Sequence, residues 1–327
     1  MSSFPTKAFI SEFLLVRGIT SGPTEQSLYK YHVEEVEYEA LKTVLSGKRY
    51  DLTNNIRKSY WCACFCLFVS ERFRREYDAG GGGWSWQPFE EALGLSLSVS
   101  DHEAIVELGL RKFWKRPIRR QGNRRDLLGS LFVEGGLPWK LVQSDTHGFA
   151  RAVKGGLKNY YHFKNLGKPT TDLMEDYLQY LPSSFRTEEF KQILAGIVEQ
   201  LINIVEKTSI SGMQNPVDYL DDVMPNWKNE FPIPLNEENG RVLISDWLKT
   251  AEEKRAEKEV MLATKSDFES MHFLASEIGQ KLSVVSKIFL PNVINFSIDL
   301  KKLASTRFEV SIYEGDHILA SASSVYG

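Results

Sequence analysis

The spacing of the apolar residues changes once along this chain, and that change limits the folds it can adopt. Up to about residue 265, apolar side chains recur at three- and four-residue intervals, as on one side of an α-helix. The clearest example starts at Thr187, which can cap a helix, and continues to Val205. Beyond residue 266 apolar and polar residues alternate, which is typical of strands with one buried face. The sequence therefore predicts a mainly α fold followed by a smaller β-containing region, α+β overall.

The C-terminal alternation predicts strands, but too few of them to complete a sheet. We expect one strand over residues 294–300 and a hairpin over residues 308–322, where Glu314-Gly315-Asp316 supplies turn residues. A two-stranded hairpin alone is marginally stable in water, and its open edge can pair with another chain. We therefore expect either a continuation of the natural protein beyond Gly327 or a strand supplied by another subunit.

A division near residue 266 follows from the same change of period. At 327 residues the chain exceeds the usual size of one domain. We expect an irregular helical domain over residues 1–265, containing a basic segment at 110–168, and an incomplete β-rich region over residues 266–327.

Local signals predict where several helices begin and end. Residues 100–103, Ser-Asp-His-Glu, have the spacing of a capping box, so we expect a helix from there to about Lys115, stopped by Pro117. Residues 119–125 are interpreted as an exposed basic loop, and the next helix is expected to begin near Asp126.

Three later segments complete the helical prediction. Residues 149–163 are typical of a basic amphipathic helix. Residues 215–234 contain four prolines and are interpreted as a loop. Residues 245–263 have few apolar positions, which predicts a solvated helix or spacer.

The basic segment is the strongest functional signal in the chain. Between residues 110 and 168 there are fourteen Lys and Arg residues against three acids, although the whole chain has a formal net charge of -3. Such a patch can bind phosphates. The candidate nucleic-acid-binding residues are Arg111, Lys112, Lys115, Arg116, Arg119, Arg120, Arg124, Arg125, Arg151, Lys154 and Lys158.

An acidic segment leaves a second interpretation of this surface open. Residues 169–265 carry eighteen acids against ten bases, so the basic side chains could pair with acids of their own chain or of another protein. The discriminating observation is whether the basic side chains form one continuous solvent-facing surface or pair with acids from residues 169–265.

Cys62, Cys64 and Cys66 lie in one apolar stretch of a helix expected over residues 55–77. On a helix the first and third share a face and the second does not, which is poor geometry for a tetrahedral metal site. We therefore expect buried, reduced thiols and no metal or other cofactor, which favours a reducing compartment. Because we find neither a signal peptide nor an apolar run long enough for a bilayer, we expect a cytoplasmic protein that does not enter the membrane.

No motif predicts a catalytic site. Four glycines at residues 80–83 lack the spacing and the Lys-Ser/Thr of a phosphate-binding P-loop. Trp84 and Trp86 follow, either as a stacking platform for bases or, as we favour, as anchors of the loop on the core. The histidines are scattered without a ligand pair, so an enzyme with an unrecognised site ranks below a non-catalytic role.

Four stretches resemble one known family. They are residues 9–18 (FISEFLLVRG), 73–77 (FRREY), 83–94 (GWSWQPFEEALG) and 128–138 (LGSLFVEGGLP). They are similar to the front part of a family of large, uncharacterised bacterial proteins, encoded beside helicases in mobile genomic islands of the anti-phage kind. The resemblance covers roughly residues 5–165, and its motifs are structural rather than catalytic.

The resemblance implies a role in anti-phage defence, with a helicase or another defence-system protein as partner. Together with the basic segment, it favours a non-catalytic subunit or adaptor that contacts DNA or RNA phosphates, and DNA more than RNA. The alternative is a structural or assembly protein that docks its basic face on an acidic protein partner and pairs its C-terminal strands with another chain.

Overall fold

The computed structural model describes most of the first 266 residues and four strands beyond them. The described segments are residues 5–46, 58–77, 84–143, 148–163, 167–208, 210–233, 238–266, 270–276, 279–285, 307–314 and 317–325, with side chains described up to residue 258. The chain divides into two compact units, Met1–Lys254 and Arg255–Gly327.

The described part of the first unit is mainly helical, which confirms the coarse fold prediction. In chain order the α-helices are α1 (Pro5–Val16), α2 (Glu35–Leu45), α3 (Lys58–Glu76), α4 (Gln87–Leu93), α5 (Val99–Ile105), α6 (Leu127–Gly135), α7 (Trp139–Val142), α8 (Phe149–Phe163), α9 (Thr170–Leu178), α10 (Glu188–Lys207), α11 (Pro216–Val223) and α12 (Glu238–Ser266). Short 3-10 helices occur at Leu28–Tyr31, Ser183–Phe185 and Trp227–Glu230. A π-helical segment, Val106–Phe113, continues α5. Strands β1 (Arg119–Gln121) and β2 (Arg124–Asp126) form a small antiparallel sheet.

Helix α3 forms the centre of the core. Every residue from Trp61 to Val69 exposes 1% or less of its surface. A helix that is apolar on all sides is stable only when other elements surround it. The three cysteines lie in this stretch as buried free thiols, which confirms the prediction of their burial in a helix.

Two glycines let neighbouring elements approach α3 closely. Gly109 of the π-helical segment faces the backbone carbonyl of Cys62, and Gly135 at the end of α6 faces that of Ser70. A side-chain carbon at either glycine would overlap those backbone atoms. The π-helical segment and α6 flank β1 and β2 in the chain, so their contacts with α3 fix the position of the small sheet.

The C-terminal half of α3 makes a further contact with α6. The rings of Phe73 and Phe132 stack with centroids 4.0 Å apart. Trp84 packs its edge against Phe132 and Phe185, and Trp86 stacks on His102. Both tryptophans thus anchor the chain on the core, as we had interpreted them.

One predicted helix boundary and one predicted loop are wrong for identifiable reasons. The capping box belongs to Ser98 and Asp101, two residues before the expected one, so α5 begins at Val99. The sequence satisfies the spacing at both serines, and only the structure selects one. The expected basic loop at residues 119–125 is instead the hairpin of β1 and β2.

Two later segments differ in part from their predictions. Pro216 occupies the first turn of α11, a position that proline favours, so residues 215–234 are not simply a loop. Residues 245–263 lie in α12, as the helix alternative predicted, but the helix is not solvated on all sides, because it has a buried stripe that consists of Ile244, Trp247, Leu248 and Ala251.

Other helix predictions are confirmed. Helix α8 spans residues 149–163 as expected. Thr187 caps α10, since its hydroxyl accepts a hydrogen bond from the backbone N–H of Phe190.

In the second unit the structure describes the backbone of two antiparallel hairpins. Strand β3 (Ser270–Ser276) pairs with β4 (Gly279–Val285), a hairpin that the sequence analysis missed. Strand β5 (Arg307–Glu314) pairs with β6 (His317–Val325) over the residues where a hairpin was predicted, and the register shifts by one residue between Ile312 and Tyr313. The strand predicted at residues 294–300 lies outside the described residues.

The close approach at Gly109 gives a stability prediction. We expect Gly109→Ala to lower the free energy of unfolding by about 1–3 kcal/mol, because the new methyl group overlaps the Cys62 carbonyl. Urea unfolding followed by circular dichroism measures this. The matched control is Gly196→Ala in α10, where the added carbon meets nothing within 4 Å and should stabilise by up to about 1 kcal/mol. Equal stability of the two variants would contradict the packing described here.

Candidate nucleic-acid interface

The hairpin of β1 and β2 is tied firmly to the first unit at its base. Its strands pair Arg119 with Asp126 at the base, and Gly122, with φ of 60°, makes the turn at the tip. The backbone N–H of Arg119 donates to Ser130 Oγ at 2.9 Å. Asp126 caps α6 by accepting a hydrogen bond from the Gly129 N–H, also at 2.9 Å. These bonds connect both strands to the first turn of α6.

The side chain of Arg119 contributes to this anchoring and is not available to a ligand. Its Nε donates to Glu189 Oε1 at 2.7 Å, and its Nη1 lies 3.5 Å from Asp126 Oδ2. Only 13% of the side chain is exposed. Partial burial raises the pKa of the Glu189 carboxyl, but the hydrogen bonds it accepts, above all from Arg119, together with the positive charge of Arg119 bring that pKa below its usual value. Arg119 therefore joins the hairpin to α10.

Arg116 is likewise bound within the chain. Its Nε donates to Glu134 Oε1 at 2.9 Å, and its Nη1 donates to the Glu25 carbonyl at 2.7 Å. Burial raises the pKa of the Glu134 carboxyl, while Arg116 and the Leu28 N–H oppose the shift. Removing Arg116 would leave a buried acid without its partner, so this residue has a structural role.

Six of the predicted residues remain exposed around the hairpin. We call them the hairpin cluster: Arg111, Lys112, Lys115, Arg120, Arg124 and Arg125. Glu107 connects the two parts of the cluster, because it pairs with Arg111 and lies 3.6 Å from Arg125 Nη1. Within the described part of the chain, the other four members form no ion pair. Six cations against one contacting carboxylate leave a strongly positive surface.

The three predicted residues of α8 lie in a different setting. The Arg151 guanidinium stacks 3.6 Å from the ring centroid of Tyr180. Lys154 Nζ lies 2.7 Å from Asp246 of α12, and Lys158 is exposed. Among the described residues no ion pair joins these three to the hairpin cluster. The structure thus leaves six of the eleven candidates exposed, three on the hairpin and three just before it in the chain, and Glu107 connects Arg111 with Arg125. Arg119 and Lys154 instead pair with acids between residues 169 and 265.

Sequence reasoning missed three residues of this surface. Glu107 stands four residues before Arg111, the spacing of a helical ion pair. Gln121 and Asn123 are exposed at the hairpin tip. The Gly122-Asn123 dipeptide is itself a hairpin signal that could have been used.

The other residues that could carry chemistry, the three cysteines and His102, are buried. Burial raises the pKa of Cys62 to about 12 and raises those of Cys64 and Cys66, so the thiols are poor nucleophiles. His102 bonds Glu90 at 2.8 Å and is covered by Trp86. In the described segments no group of three or more His, Cys, Asp or Glu residues could hold a metal ion, and no helix is long and apolar enough to cross a bilayer.

Comparison with known proteins places this helical unit in a class defined by two successive domains. Residues 1–137 match the family model of the YjiT N-terminal domain, and residues 144–260 match that of the YjiT second domain. The chain belongs to the YjiT family. Protein YjiT of Escherichia coli (strain K12) is 28% identical over 322 residues, which are 98% of this chain and 60% of that protein. The chain therefore spans well under two thirds of the relative's length. No solved structure matches it.

The contrast between two adjacent arginines gives a second stability prediction. We expect Arg119→Ala to lower the free energy of unfolding by about 1–3 kcal/mol, because it removes charged hydrogen bonds and leaves Glu189 unpaired. Arg120→Ala, its exposed neighbour, should change stability by no more than about 0.5 kcal/mol. Chemical denaturation of both variants checks this. If Arg119→Ala left the free energy of unfolding unchanged, the hairpin would not be anchored through α10.

Proposed function

We propose that this chain is a non-catalytic subunit that binds nucleic-acid phosphates through the hairpin cluster. The observation that carries the proposal is the exposure of three arginines on the anchored hairpin and of three cations at residues 111–115 just before it, with Glu107 as their only ion-pair partner among the described residues. Lys and Arg contacts to phosphates supply affinity without reading sequence.

The charge distribution of the chain supports a localised contact. Since the whole chain has a formal net charge of -3, its overall field does not attract a polyanion. Salt screens exposed charges beyond a Debye length, about 8 Å at physiological salt. The charges nearest to a bound polyanion therefore determine how strongly it is attracted. A nucleic acid is therefore held at the hairpin cluster and repelled from acidic parts of the surface. In α8, Arg151 and Lys158 are secondary candidates for extending the contact.

The biological setting is proposed on the resemblance given above. Genes of such proteins beside helicases in anti-phage islands favour DNA as the polymer, and a helicase or another defence-system protein as partner in the cytoplasm. In this proposal the mainly α unit binds DNA, and the smaller β-containing region that follows it contributes to assembly. Because the chain covers 60% of its relative, these proposals concern this part of the protein.

A second candidate function is assembly through protein contacts. In the described C-terminal segments each sheet has two strands, and two-stranded sheets have edges that accept another strand. The pairing of Arg119 with Glu189 and of Lys154 with Asp246 shows that basic residues of this region accept carboxylates as partners. In this function the hairpin cluster would dock on an acidic protein surface.

Salt-dependent binding tests the first function. The triple variant Lys112→Ala, Arg120→Ala, Arg124→Ala should bind a fluorescent 20-base-pair DNA more weakly, and each lost phosphate contact should reduce the log–log salt slope by about 0.9. All three side chains are exposed, so the fold should be retained. Fluorescence anisotropy at several salt concentrations gives both quantities.

A charge-matched control separates the hairpin cluster from net charge. Replacing Lys140, Lys207 and Lys249 with Ala removes the same three charges from exposed positions on α7, α10 and α12. We expect this variant to keep the wild-type affinity and slope within error. If both variants lose affinity equally, or if the wild-type chain binds neither DNA nor RNA, the proposed function is wrong and the assembly function is favoured.

A further inference from the structure

The hairpin presents cations on both of its faces. Arg120 and Arg125 are directly opposite in the register, as are Gln121 and Arg124 one position further along. Successive side chains of a strand point to opposite faces, so the first pair lies on one face and the second pair on the other. Every residue from 120 to 125 is exposed. The projecting end of the hairpin therefore has basic groups on either side of a polar tip.

This distribution is unsuited to a hairpin that lies flat on a ligand, because one basic face would then point away from it. It suits a hairpin that stands between two negatively charged walls. The grooves of a nucleic-acid duplex are bounded by two phosphate backbones. Arg124 would meet one wall and Arg120 the other, whereas Arg125, on the same face as Arg120, lies 3.6 Å from Glu107 of its own chain.

We infer that the hairpin enters the major groove of B-form duplex DNA, an inference that rests on the proposed function. The major groove is about 12 Å wide and about 8.5 Å deep, and it admits a two-stranded β-ribbon. Beyond the anchored Arg119–Asp126 pair each strand projects by two residues, about 7 Å, and the turn at Gly122 and Asn123 extends the ribbon further into a groove of that depth. The minor groove, about 6 Å wide, is too narrow for a paired ribbon with its side chains.

The residues at the tip suit the floor of that groove. Gln121 and Asn123 carry amides that can donate and accept hydrogen bonds, and the edges of bases in the major groove offer both kinds of partner. Gly122 between them has no side chain, so the turn can approach the bases closely. The positive φ of Gly122 also fits a tight two-residue turn.

The anchoring of the hairpin makes such insertion favourable. The bonds of Arg119 to Glu189 and of Asp126 to the first turn of α6 hold the ribbon in place before a ligand arrives. A preorganised element loses less conformational entropy on binding.

Double-stranded RNA has a deep and narrow major groove that side chains do not reach, and a single strand has no groove. We therefore expect a preference for duplex DNA over both.

Dimethyl sulfate probing of a short DNA duplex saturated with the full chain tests the inference. The reagent methylates guanine N7, which lies in the major groove, and adenine N3, which lies in the minor groove. We expect reduced methylation at N7 and unchanged methylation at N3. Duplex RNA and single-stranded DNA of the same sequence should bind more weakly than duplex DNA by roughly tenfold or more.

Single substitutions on the two faces give an independent readout. Arg120→Ala and Arg124→Ala should each lower the salt slope on duplex DNA by about 0.9, because each face contacts its own phosphate wall. A loss confined to one face would overturn groove insertion.

The outcomes separate this inference from the function on which it rests. Equal binding to DNA and RNA duplexes without N7 protection, or protection at N3 alone, would overturn groove insertion and leave phosphate binding intact. A wild-type chain that binds none of the three nucleic acids would overturn both.

Discussion

The burial of α3 on every side is the constraint on which the rest of the first unit depends. A helix with an apolar surface all round must be enclosed, and the enclosure brings together segments that are distant in sequence. Gly109 and Gly135 lie against its backbone because they have no side chain to prevent the approach. The hairpin joins the two elements that contain these glycines, so its position on the surface is set from the core outwards.

The basic residues of this protein fall into two groups with different physical roles. In the first group, burial in low-dielectric surroundings requires a partner, as in the Arg74–Glu71 pair at 2.5 Å, whose two side chains are each 3% exposed. Arg116 and Arg119 are partly buried and belong to this group through their bonds to Glu134 and Glu189. In the second group, at the hairpin cluster, the charges stay hydrated and can exchange water and counterions for phosphates. The proposed binding surface therefore consists of basic residues that the fold does not use in buried ion pairs.

The sequence was sufficient for the helical class, the central buried helix, the bounds of α8 and the cap at Thr187, because each depends on local spacing. The sequence did not show which arginines form ion pairs within the fold and which remain exposed. Arg116 and Glu134 are 18 residues apart, and Arg119 and Glu189 are 70 apart, so no local pattern marks these pairs. The hairpin was missed because its strands are three residues long and rich in arginine, although Gly122-Asn123 signals the turn.

Arginine modification by phenylglyoxal, read by mass spectrometry with and without saturating duplex DNA, tests the central claim most directly. In the free protein Arg120 and Arg124 should react rapidly, whereas Arg116 and Arg119 should react slowly because their guanidinium groups are hydrogen-bonded inside the fold. Bound DNA should protect Arg120 and Arg124. Rapid modification of Arg116 and Arg119 in the free chain, or DNA binding that leaves Arg120 and Arg124 as reactive as before, would contradict the account.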